Sequence, residues 1–277
     1  MNLLYITWNV HPEIFPNTAI PVRWYGLFFV IAFYLSYYIL SKIFKREGIK
    51  EDLLDKLTIY MLIATVVGAR LGHCLFYEPD YYLRYPIEIL YIWQGGLASH
   101  GAAIAILFAV WIFVRKNKQL SFMWMMDRLV IVVAIAGFWI RMGNLMNSEI
   151  FGRPTTLPWG FIFKRLESEG VFGPHHPTQI YEALAYLLIF FALLLFYHKR
   201  NAKPKEGLIF SIFLIALFSM RFLIEFIKNE QVDFEKNMTL NMGQWLSLPF
   251  IIAGLGLFFY MKSRKAVLED KDDSIVG

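Results

Sequence analysis

The sequence predicts an all-α integral membrane protein with seven transmembrane helices, an outward-facing N-terminus, an inward-facing C-terminus and a small extracytoplasmic cap. Hydrophobic residues make up 57% of the 277 residues and charged residues only 18%, whereas soluble domains average about 45–50% and about 25%. The apolar residues are grouped in runs close to the roughly 20 residues that cross a bilayer as a helix. This composition excludes a disordered chain, a disulfide-rich secreted module and the usual highly charged nucleic-acid-binding protein.

The apolar runs follow one another without an intervening soluble domain, so residues 1–277 are expected to form one polytopic membrane domain. The spans are predicted at roughly 22–44, 57–77, 97–114, 122–141, 178–198, 207–227 and 241–261.

Basic residues are distributed unevenly between the two sides of these spans. Most of the 27 Lys and Arg residues lie in the loops after spans one, three and five and in the C-terminal tail. They are Lys42, Lys45, Arg46, Lys50, Lys56, Arg115, Lys116, Lys118, Arg128, Lys199, Arg200, Lys203, Lys205, Lys262, Arg264, Lys265 and Lys271. Because loops rich in Lys and Arg stay in the cytoplasm, the N-terminus is expected outside and the C-terminus inside.

Two segments on the predicted outer side are longer than simple turns. Residues 78–96 are rich in Tyr and Trp, which favour the headgroup level of a bilayer, and are predicted to form an interfacial aromatic arm. Residues 142–177 carry Gly, Pro, Asn and several charges and are long enough to form the extracytoplasmic cap.

Several ionisable residues lie inside or at the ends of the predicted spans, where each costs about 2.5–3.5 kcal/mol on insertion scales. At about 1.5 Å of rise per residue, Arg70 on span two and Arg221 on span six both lie about 21 Å from the cytoplasmic edge. Arg141, His100 and Glu182 reach the same level from three other spans. We therefore expect polar groups from several helices to meet in one layer near the outer surface.

The chemistry of this layer indicates an anionic phospholipid as the ligand. Guanidinium groups bind phosphate in a bidentate manner and stay charged when desolvated, and a histidine near carboxylates can serve as a general acid–base. Each member also has a structural interpretation: Arg221 and Glu225 are spaced for an i,i+4 ion pair, and His100 could bond only to backbone. An enzyme acting on the lipid headgroup is favoured, and an arginine-lined transporter or channel for an anionic lipid or anion is the alternative.

Other classes of membrane protein lack their defining residues. Span seven has no lysine at its middle for a retinal Schiff base, and no HExxH motif is present. The run Gly96-Leu-Ala-Ser99 lacks the glycine of a serine-protease motif. No Cys/His/carboxylate set has metal spacing, so neither a metal nor an organic cofactor is expected. Cys74 lies among apolar residues that disfavour its thiolate, so it is not expected to be a nucleophile.

One long motif joins the end of span four to the cap. The run Arg141-Met-Gly-Asn-Leu-Met-Asn-Ser-Glu-Ile-Phe-Gly-Arg153 resembles the signature R-x-G-N-x-x-N-G-E-x-x-G-R of the prolipoprotein diacylglyceryl transferase family. Shorter motifs of the family occur in order along nearly the whole chain: Arg23-Trp-Tyr-Gly26, Gly68-Ala-Arg-Leu-Gly72, Gly95-Gly-Leu-Ala-Ser-His-Gly101, His176-Pro-Thr-Gln-Ile-Tyr-Glu182 and Arg221-Phe-Leu-Ile-Glu225. Two positions depart from the family, since Ala102 and Ser148 each replace a glycine.

The resemblance implies a bacterial inner or plasma membrane enzyme whose active site faces the extracytoplasmic leaflet. Such an enzyme transfers the diacylglyceryl group of phosphatidylglycerol to the thiol of the lipobox cysteine of a prolipoprotein, and glycerol phosphate is released. The expected partners are phosphatidylglycerol, the prolipoprotein signal peptide and the lipid bilayer, with no nucleic acid.

The catalytic residues are expected to serve the attack of the thiol and the departure of the phosphate. His100 is the expected base, because a thiol with a pKa near about 8.5 is mostly protonated at neutral pH. Arg141 and Arg221 are expected to bind the phosphate and to stabilise the leaving group, with Glu149 and Glu225 orienting them. The expected substrate-binding residues are Tyr25, Asn144, Arg70, Gly152, Gln179 and Glu182.

Overall fold

The computed structural model describes residues 5–16, 22–92, 95–201, 204–229 and 238–273, with side chains described up to residue 263. Its helices are α1 (Trp24–Arg46), α2 (Glu51–Phe76), α3 (Pro79–Arg84), α4 (Ser99–Lys116), α5 (Phe122–Met146), α6 (Thr178–Lys199), α7 (Leu208–Glu225) and α8 (Met242–Asp273). All but α3 are long and apolar enough to cross a membrane, α8 over Met242–Ser263, so the predicted helical fold with seven candidate spans is confirmed, and the orientation of the termini stays a prediction. Outside the described residues lie Lys203, positions 93–94 of the predicted arm, and the side chains of Arg264, Lys265 and Lys271.

The helices extend beyond the predicted spans where their end turns are polar. Helix α2 begins at Glu51 and carries Asp52 in its first turn, where acidic residues complement the positive end of the helix dipole. Helix α5 continues to Met146, which corrects the predicted end at residue 141. A search of the sequence for apolar runs misses such turns, because each run ends at the first charged residues. Arg141 therefore lies within α5, and the first residues assigned to the cap, 142–146, belong to the end of this helix.

The described residues divide into two compact units, of which one comprises residues 40–126. Within it, α2 and α4 pack closely through small residues: a Cβ at Gly72 would lie 2.7 Å from the Cα of Gly101. Small residues allow membrane helices to approach in this way. After α2, α3 and a 3-10 helix at Pro86–Leu90 form the arm. Here a hydrogen bond to Glu88 raises the pKa of the exposed Tyr81 to about 12.

The other unit comprises the described residues up to Ile39 and those from Asp127 onwards. Two short strands, β1 (Ile6–Trp8) and β2 (Phe161–Phe163), pair in parallel within it, an element that the sequence analysis did not predict. The predicted cap has a small apolar core, which Leu145, Phe161, Phe163 and Leu166 form. The indole of Trp8 donates to the carbonyl of Leu145 at 3.0 Å, so the N-terminal strand is tied to the end of α5.

A buried carboxylate on α5 caps the N-terminus of α7. The two oxygens of Asp127 accept hydrogen bonds from the backbone N–H groups of Gly207 and Phe210, both at 2.8 Å. Arg128 lies 3.7 Å from Asp127 and is itself buried, which corrects its assignment to a cytoplasmic loop. The first N–H groups of a helix have no intrahelical partner, and the N-cap residue Gly207 has no side chain to accept from them. The carboxylate of Asp127 therefore supplies the missing hydrogen-bond acceptors.

Replacing Asp127 with alanine is expected to lower the free energy of unfolding by about 1–2 kcal/mol, the loss typical of a helix cap. The substitution leaves two N–H groups at the start of α7 without an acceptor. Thermal unfolding in detergent measures the effect, and Asp80→Ala, at an exposed position of α3, serves as the control. Equal melting temperatures for the two variants would contradict the capping role.

Candidate active site

A chain of four charges with alternating sign links α5, α6 and α7, and all of them except the half-buried Arg141 are buried. The Nε of Arg141 lies 2.8 Å from Oε2 of Glu182, but the N–H does not point along this line, so the contact is an ion pair rather than an aligned hydrogen bond. The other oxygen of Glu182 lies 3.3 Å from the ammonium of Lys228, which lies 3.2 Å from Oε2 of Glu225. The side chains of Glu182 and Lys228 are 1% and 2% exposed, so each of these charges depends on its partners.

The guanidinium of Arg141 is also held from the end of its own helix. Its Nη1 donates to Oδ1 of Asn144 at 3.1 Å, and Nδ2 of Asn144 donates to Oε1 of Glu149 at 2.7 Å. Asn147 donates a second hydrogen bond to that oxygen, at 3.2 Å. Glu149 therefore acts on Arg141 through Asn144, whereas the direct carboxylate partner is Glu182, which was expected only to bind substrate. A contact of Asn144 with lipid stays a prediction.

Lys228 is the member of the cluster that the sequence analysis missed. It follows the end of α7 by three residues, so an apolar scan assigns it to the outer loop. The signal that identifies it is its i,i+3 spacing from Glu225 directly after a span, since opposite charges at that spacing pair. Its backbone is fixed by an antiparallel bridge to Gly152, beside a hydrogen bond of 2.9 Å from the N–H of Arg153 to the carbonyl of Ile227.

Gly152 allows three segments of the chain to meet. A Cβ at this position would lie 2.5 Å from the carbonyl oxygen of Ile227, 2.7 Å from Thr178 and 2.8 Å from His176. The N–H of Gly152 also donates to the carbonyl of His176 at 2.8 Å. Gly152, expected to bind substrate, thus has a packing role that joins the cap to the end of α7 and the start of α6. A direct contact with substrate stays a prediction.

Glu225 pairs with Lys228 rather than with Arg221, which corrects the expected i,i+4 partnership. Glu225 is the last residue of α7, and the turn that follows it brings the lysine back over the carboxylate. Arg221 is half-buried and makes no ion pair in the part of the chain that the structure describes. Its role as a phosphate ligand stays a prediction.

Tyr25 and Gln179 border the loop that carries Glu149. The amide of Gln179 is fully buried and donates through Nε2 to the carbonyl of Glu149 at 2.7 Å. The ring of Tyr25 packs against Gly143, and its side chain interacts electrostatically with Glu149 and Arg141. Both residues therefore belong to the surroundings of Arg141, and their contacts with substrate stay predictions.

Arg70, in the unit of residues 40–126, holds the arm to α2. It is 3% exposed, and its guanidinium donates to the carbonyls of Glu88 at 2.6 Å, Ile89 at 2.9 Å and Gly95 at 2.8 Å. These bonds occupy Nε and both terminal nitrogens. The described contacts therefore give Arg70 a structural role, and its contact with lipid stays a prediction.

His100 belongs to the same unit and lies at the second position of α4, where it is exposed. Its ring packs against Phe76 and Tyr77, with centroids 5.5 and 5.7 Å apart. Among the described residues, none forms a hydrogen bond with its nitrogens. The ring nitrogens are therefore accessible to a proton donor, as a general base requires.

A second histidine lies in a short polar chain at the edge of the cap. Trp159 donates to the hydroxyl of Tyr181 at 2.8 Å, and that hydroxyl shares a hydrogen bond of 3.2 Å with Nδ1 of His176. Burial, and next the neighbouring His175, lower the pKa of His176. Its ring is therefore neutral at neutral pH, with the proton on Nε2 when Nδ1 accepts from Tyr181.

The motifs that form this site match a known family over most of the chain. The family model described as prolipoprotein diacylglyceryl transferase matches residues 12–260. The chain belongs to this family. As a prolipoprotein diacylglyceryl transferase family member with seven candidate spans, it is a membrane transferase of lipoprotein biosynthesis, which confirms the family and the activity that the motifs implied.

Similar proteins named phosphatidylglycerol–prolipoprotein diacylglyceryl transferase match this chain over nearly their whole length. That of Tolumonas auensis is 45% identical over 260 residues, covering 94% of this chain and 98% of the relative. That of Chloroherpeton thalassium is 44% identical over 265 residues, covering 96% and 97%. That of Bacteroides fragilis is 38% identical over 277 residues, covering 96% and 98%.

The two departures from the prolipoprotein diacylglyceryl transferase signature have different structural consequences. Ala102 lies within α4, where alanine is a good helix former. Ser148 has a φ of 56°, in the left-handed region that favours glycine. Its hydroxyl is buried and has no hydrogen-bond partner among the described residues. Serine is therefore the less favourable residue at this position.

Replacing Ser148 with glycine, as in the signature of the family, is expected to raise the free energy of unfolding by about 1–2 kcal/mol. The change removes the cost of a left-handed non-glycine residue and that of a buried, unpaired hydroxyl. Thermal unfolding measures the gain. Ser168→Gly, at an exposed position without a positive φ, is the control and should bring no gain. An unchanged or lower melting temperature for Ser148→Gly would contradict this interpretation.

Proposed function

We propose that this chain transfers the diacylglyceryl group of phosphatidylglycerol to the thiol of the lipobox cysteine in a prolipoprotein signal peptide. The sulfur forms a bond with the glycerol carbon as the bond between that carbon and the phosphate oxygen breaks. Glycerol phosphate leaves with the electron pair, and the thiol proton passes to a base. Membership of the family supports the activity, and the side chains around Arg141 supply the groups that the departure of the phosphate needs.

The observation that carries this assignment is the fixed guanidinium of Arg141. Glu182, Asn144 and a hydrogen bond with the side chain of Tyr186 hold the guanidinium, and an arginine has five N–H donors, so others are left for a bound anion. A donor fixed in advance stabilises developing charge without reorganising. Arg221 supplies a second cation, because a charge within a span needs a counter-ion and no described carboxylate pairs with it. Tyr25, Gln179 and Asn144 then surround the lipid headgroup.

His100 accepts the proton of the thiol. A free cysteine has a pKa of about 8.5, so the reactive thiolate is a minor species at neutral pH. The exposed imidazole of His100 and its accessible ring nitrogens suit this role.

The reaction takes place at the outer leaflet of a bacterial inner or plasma membrane. The basic loops retain the C-terminus in the cytoplasm, so the N-terminus, the arm of residues 78–96 and the cap of residues 142–177 face outwards. The single polytopic domain binds phosphatidylglycerol from the bilayer, and the signal peptide presents its cysteine at the same interface.

Replacing His100 with glutamine is expected to lower the transfer rate about 10²–10⁴-fold at neutral pH, the usual contribution of a general base. The rate should recover as the pH approaches that of thiol ionisation, since the peptide then supplies its own thiolate. The assay uses purified protein, phosphatidylglycerol and a lipobox peptide over a range of pH. His198→Gln, in the last turn of α6, is the control. A His100→Gln enzyme as active as this control at every pH would mean that the arginines alone generate the thiolate.

An arginine-lined transporter or channel would move an anion or anionic lipid without modifying a peptide. Liposomes that contain the protein but no peptide distinguish the two functions. We expect no flux in these liposomes and lipid transfer once the peptide is added. Flux without any lipid-modified peptide would contradict the transferase.

A further inference from the structure

The four side chains of the charge cluster around Arg141 carry no net charge. Lys228 supplies one of the two positive charges. Arg141 and Lys228 provide two positive charges, and Glu182 and Glu225 provide two negative charges. If Lys228 were neutral, both carboxylates would face the single charge of Arg141. A guanidinium held by two buried carboxylates is a poor receptor for a third anion, because the added negative charge would be unbalanced in a medium of low dielectric constant.

We propose that Lys228 is a positioning residue that keeps Arg141 available to the lipid phosphate by holding the counter-charges of Glu182 and Glu225. The proposal rests on the proposed function, in which Arg141 binds that phosphate. Lys228 is 3% exposed, so it acts through Glu182 rather than by touching the substrate.

The geometry of Glu182 shows how this works. One of its oxygens faces Nε of Arg141 and the other faces the ammonium of Lys228. The lysine therefore withdraws part of the carboxylate's charge from Arg141 and fixes the plane of the carboxylate. With Glu182 fixed at Nε and Asn144 fixed at Nη1, the guanidinium keeps one orientation.

Glu225 has few alternatives to Lys228 as a partner. A side chain on Gly243 of α8 would collide with its carboxylate, and Asn241 donates to its backbone carbonyl at 3.3 Å. Among the described residues, Lys228 is the only cation that contacts the carboxylate. Glu225 is thus confined beside the lysine, and its charge also interacts electrostatically with Arg141.

The cap determines where Lys228 lies. The bridge between Gly152 and Lys228, together with the hydrogen bond from Arg153 to Ile227, fixes the backbone on either side of the ammonium-bearing residue. Gly152 acts on the lysine in the same way, because its close packing against Ile227 sets the position of Lys228. Residues of the family signature therefore influence Arg141 in two ways: Glu149 through Asn144, and Gly152 through Lys228.

The test compares Lys228→Met, Lys228→Arg and the double variant Lys228→Met/Glu225→Gln. Transfer is measured over a range of phosphatidylglycerol mole fractions in mixed micelles with a lipobox peptide, which gives KM for the lipid separately from kcat. Lys164→Met is the matched control, since Lys164 forms an i,i+3 ion pair with Glu167 on the exposed surface of the cap, at 2.9 Å.

We expect Lys228→Met to raise KM for phosphatidylglycerol about tenfold or more, the effect of losing a partner that orients an ion-binding group. Lys228→Arg keeps the charge and should stay within about threefold of the unmodified protein. Lys228→Met/Glu225→Gln removes one charge of each sign and should regain most of the lost affinity. Lys164→Met should leave KM unchanged.

The outcomes separate this proposal from the function on which it rests. A merely structural role for Lys228 would lower the melting temperature and the yield of active protein but leave KM unchanged, and this result would overturn the proposal. A double variant no better than Lys228→Met would also overturn it. If Arg141→Gln leaves KM and kcat unchanged in the same assay, the headgroup role of Arg141 is wrong, and the role of Lys228 fails with it.

Discussion

Replacing Arg141 with glutamine is expected to lower the rate of diacylglyceryl transfer about 10²–10³-fold, the usual loss when one fixed donor to a developing negative charge is removed. The substitution leaves Glu182 and Glu225 to share Lys228 as their buried counter-charge, so some loss of stability is expected as well. Activity is measured with phosphatidylglycerol and a lipobox peptide, and thermal unfolding shows whether the fold is retained.

The control for this experiment is Arg115→Gln, at an exposed position in the last turn of α4. It removes the same charge from the protein without touching the cluster and should transfer lipid at the unmodified rate. If Arg141→Gln is as active as Arg115→Gln, Arg141 does not stabilise the leaving group.

Replacing Gly152 with alanine is expected to destabilise the protein by about 1–3 kcal/mol, the usual cost of overpacking, and to lower activity together with it. The added Cβ would lie 2.5 Å from the carbonyl oxygen of Ile227. Backbone cannot yield as a flexible side chain can, so the segment before Lys228 must shift and the lysine moves with it. Thermal unfolding and KM for phosphatidylglycerol measure the two effects.

Gly256→Ala is the matched control for the glycine experiment. Gly256 lies in α8, and a Cβ there would meet nothing within 4 Å, so alanine should be neutral or stabilising in this helix. A Gly152→Ala protein with unmodified stability and unmodified KM would show that the junction of cap and α7 tolerates displacement.

The sequence was sufficient to predict the seven spans, because apolar runs of this length have few other structures. It also predicted that Arg141 and Glu182 lie near the same level, since Arg141 ends the fourth predicted span and Glu182 lies near the start of the fifth. It did not predict which side chains pair. Glu225 is spaced for Arg221, yet it contacts Lys228, because a turn beyond the end of α7 brings the lysine back to the carboxylate.

Other misses have a similar physical cause. The pairing of Ile6–Trp8 with Phe161–Phe163 joins segments that are far apart in the sequence, and strands of three residues are too short for a periodic pattern. The role of Arg70 depends on carbonyl groups of the arm, which every sequence contains and which therefore give no signal. Contacts to backbone and contacts beyond helix ends are the features that only the folded chain provides.

We expect Arg141 and Arg221 to bind the phosphate of one phosphatidylglycerol molecule. An experimental structure of the protein with bound phosphatidylglycerol would show the contacts of that phosphate. Its oxygens should lie within about 3 Å of N–H groups of both guanidinium groups, the distance of charge-assisted hydrogen bonds. A phosphate bound elsewhere, with Arg141 held by Glu182, Asn144 and Tyr186 alone, would overturn this arrangement.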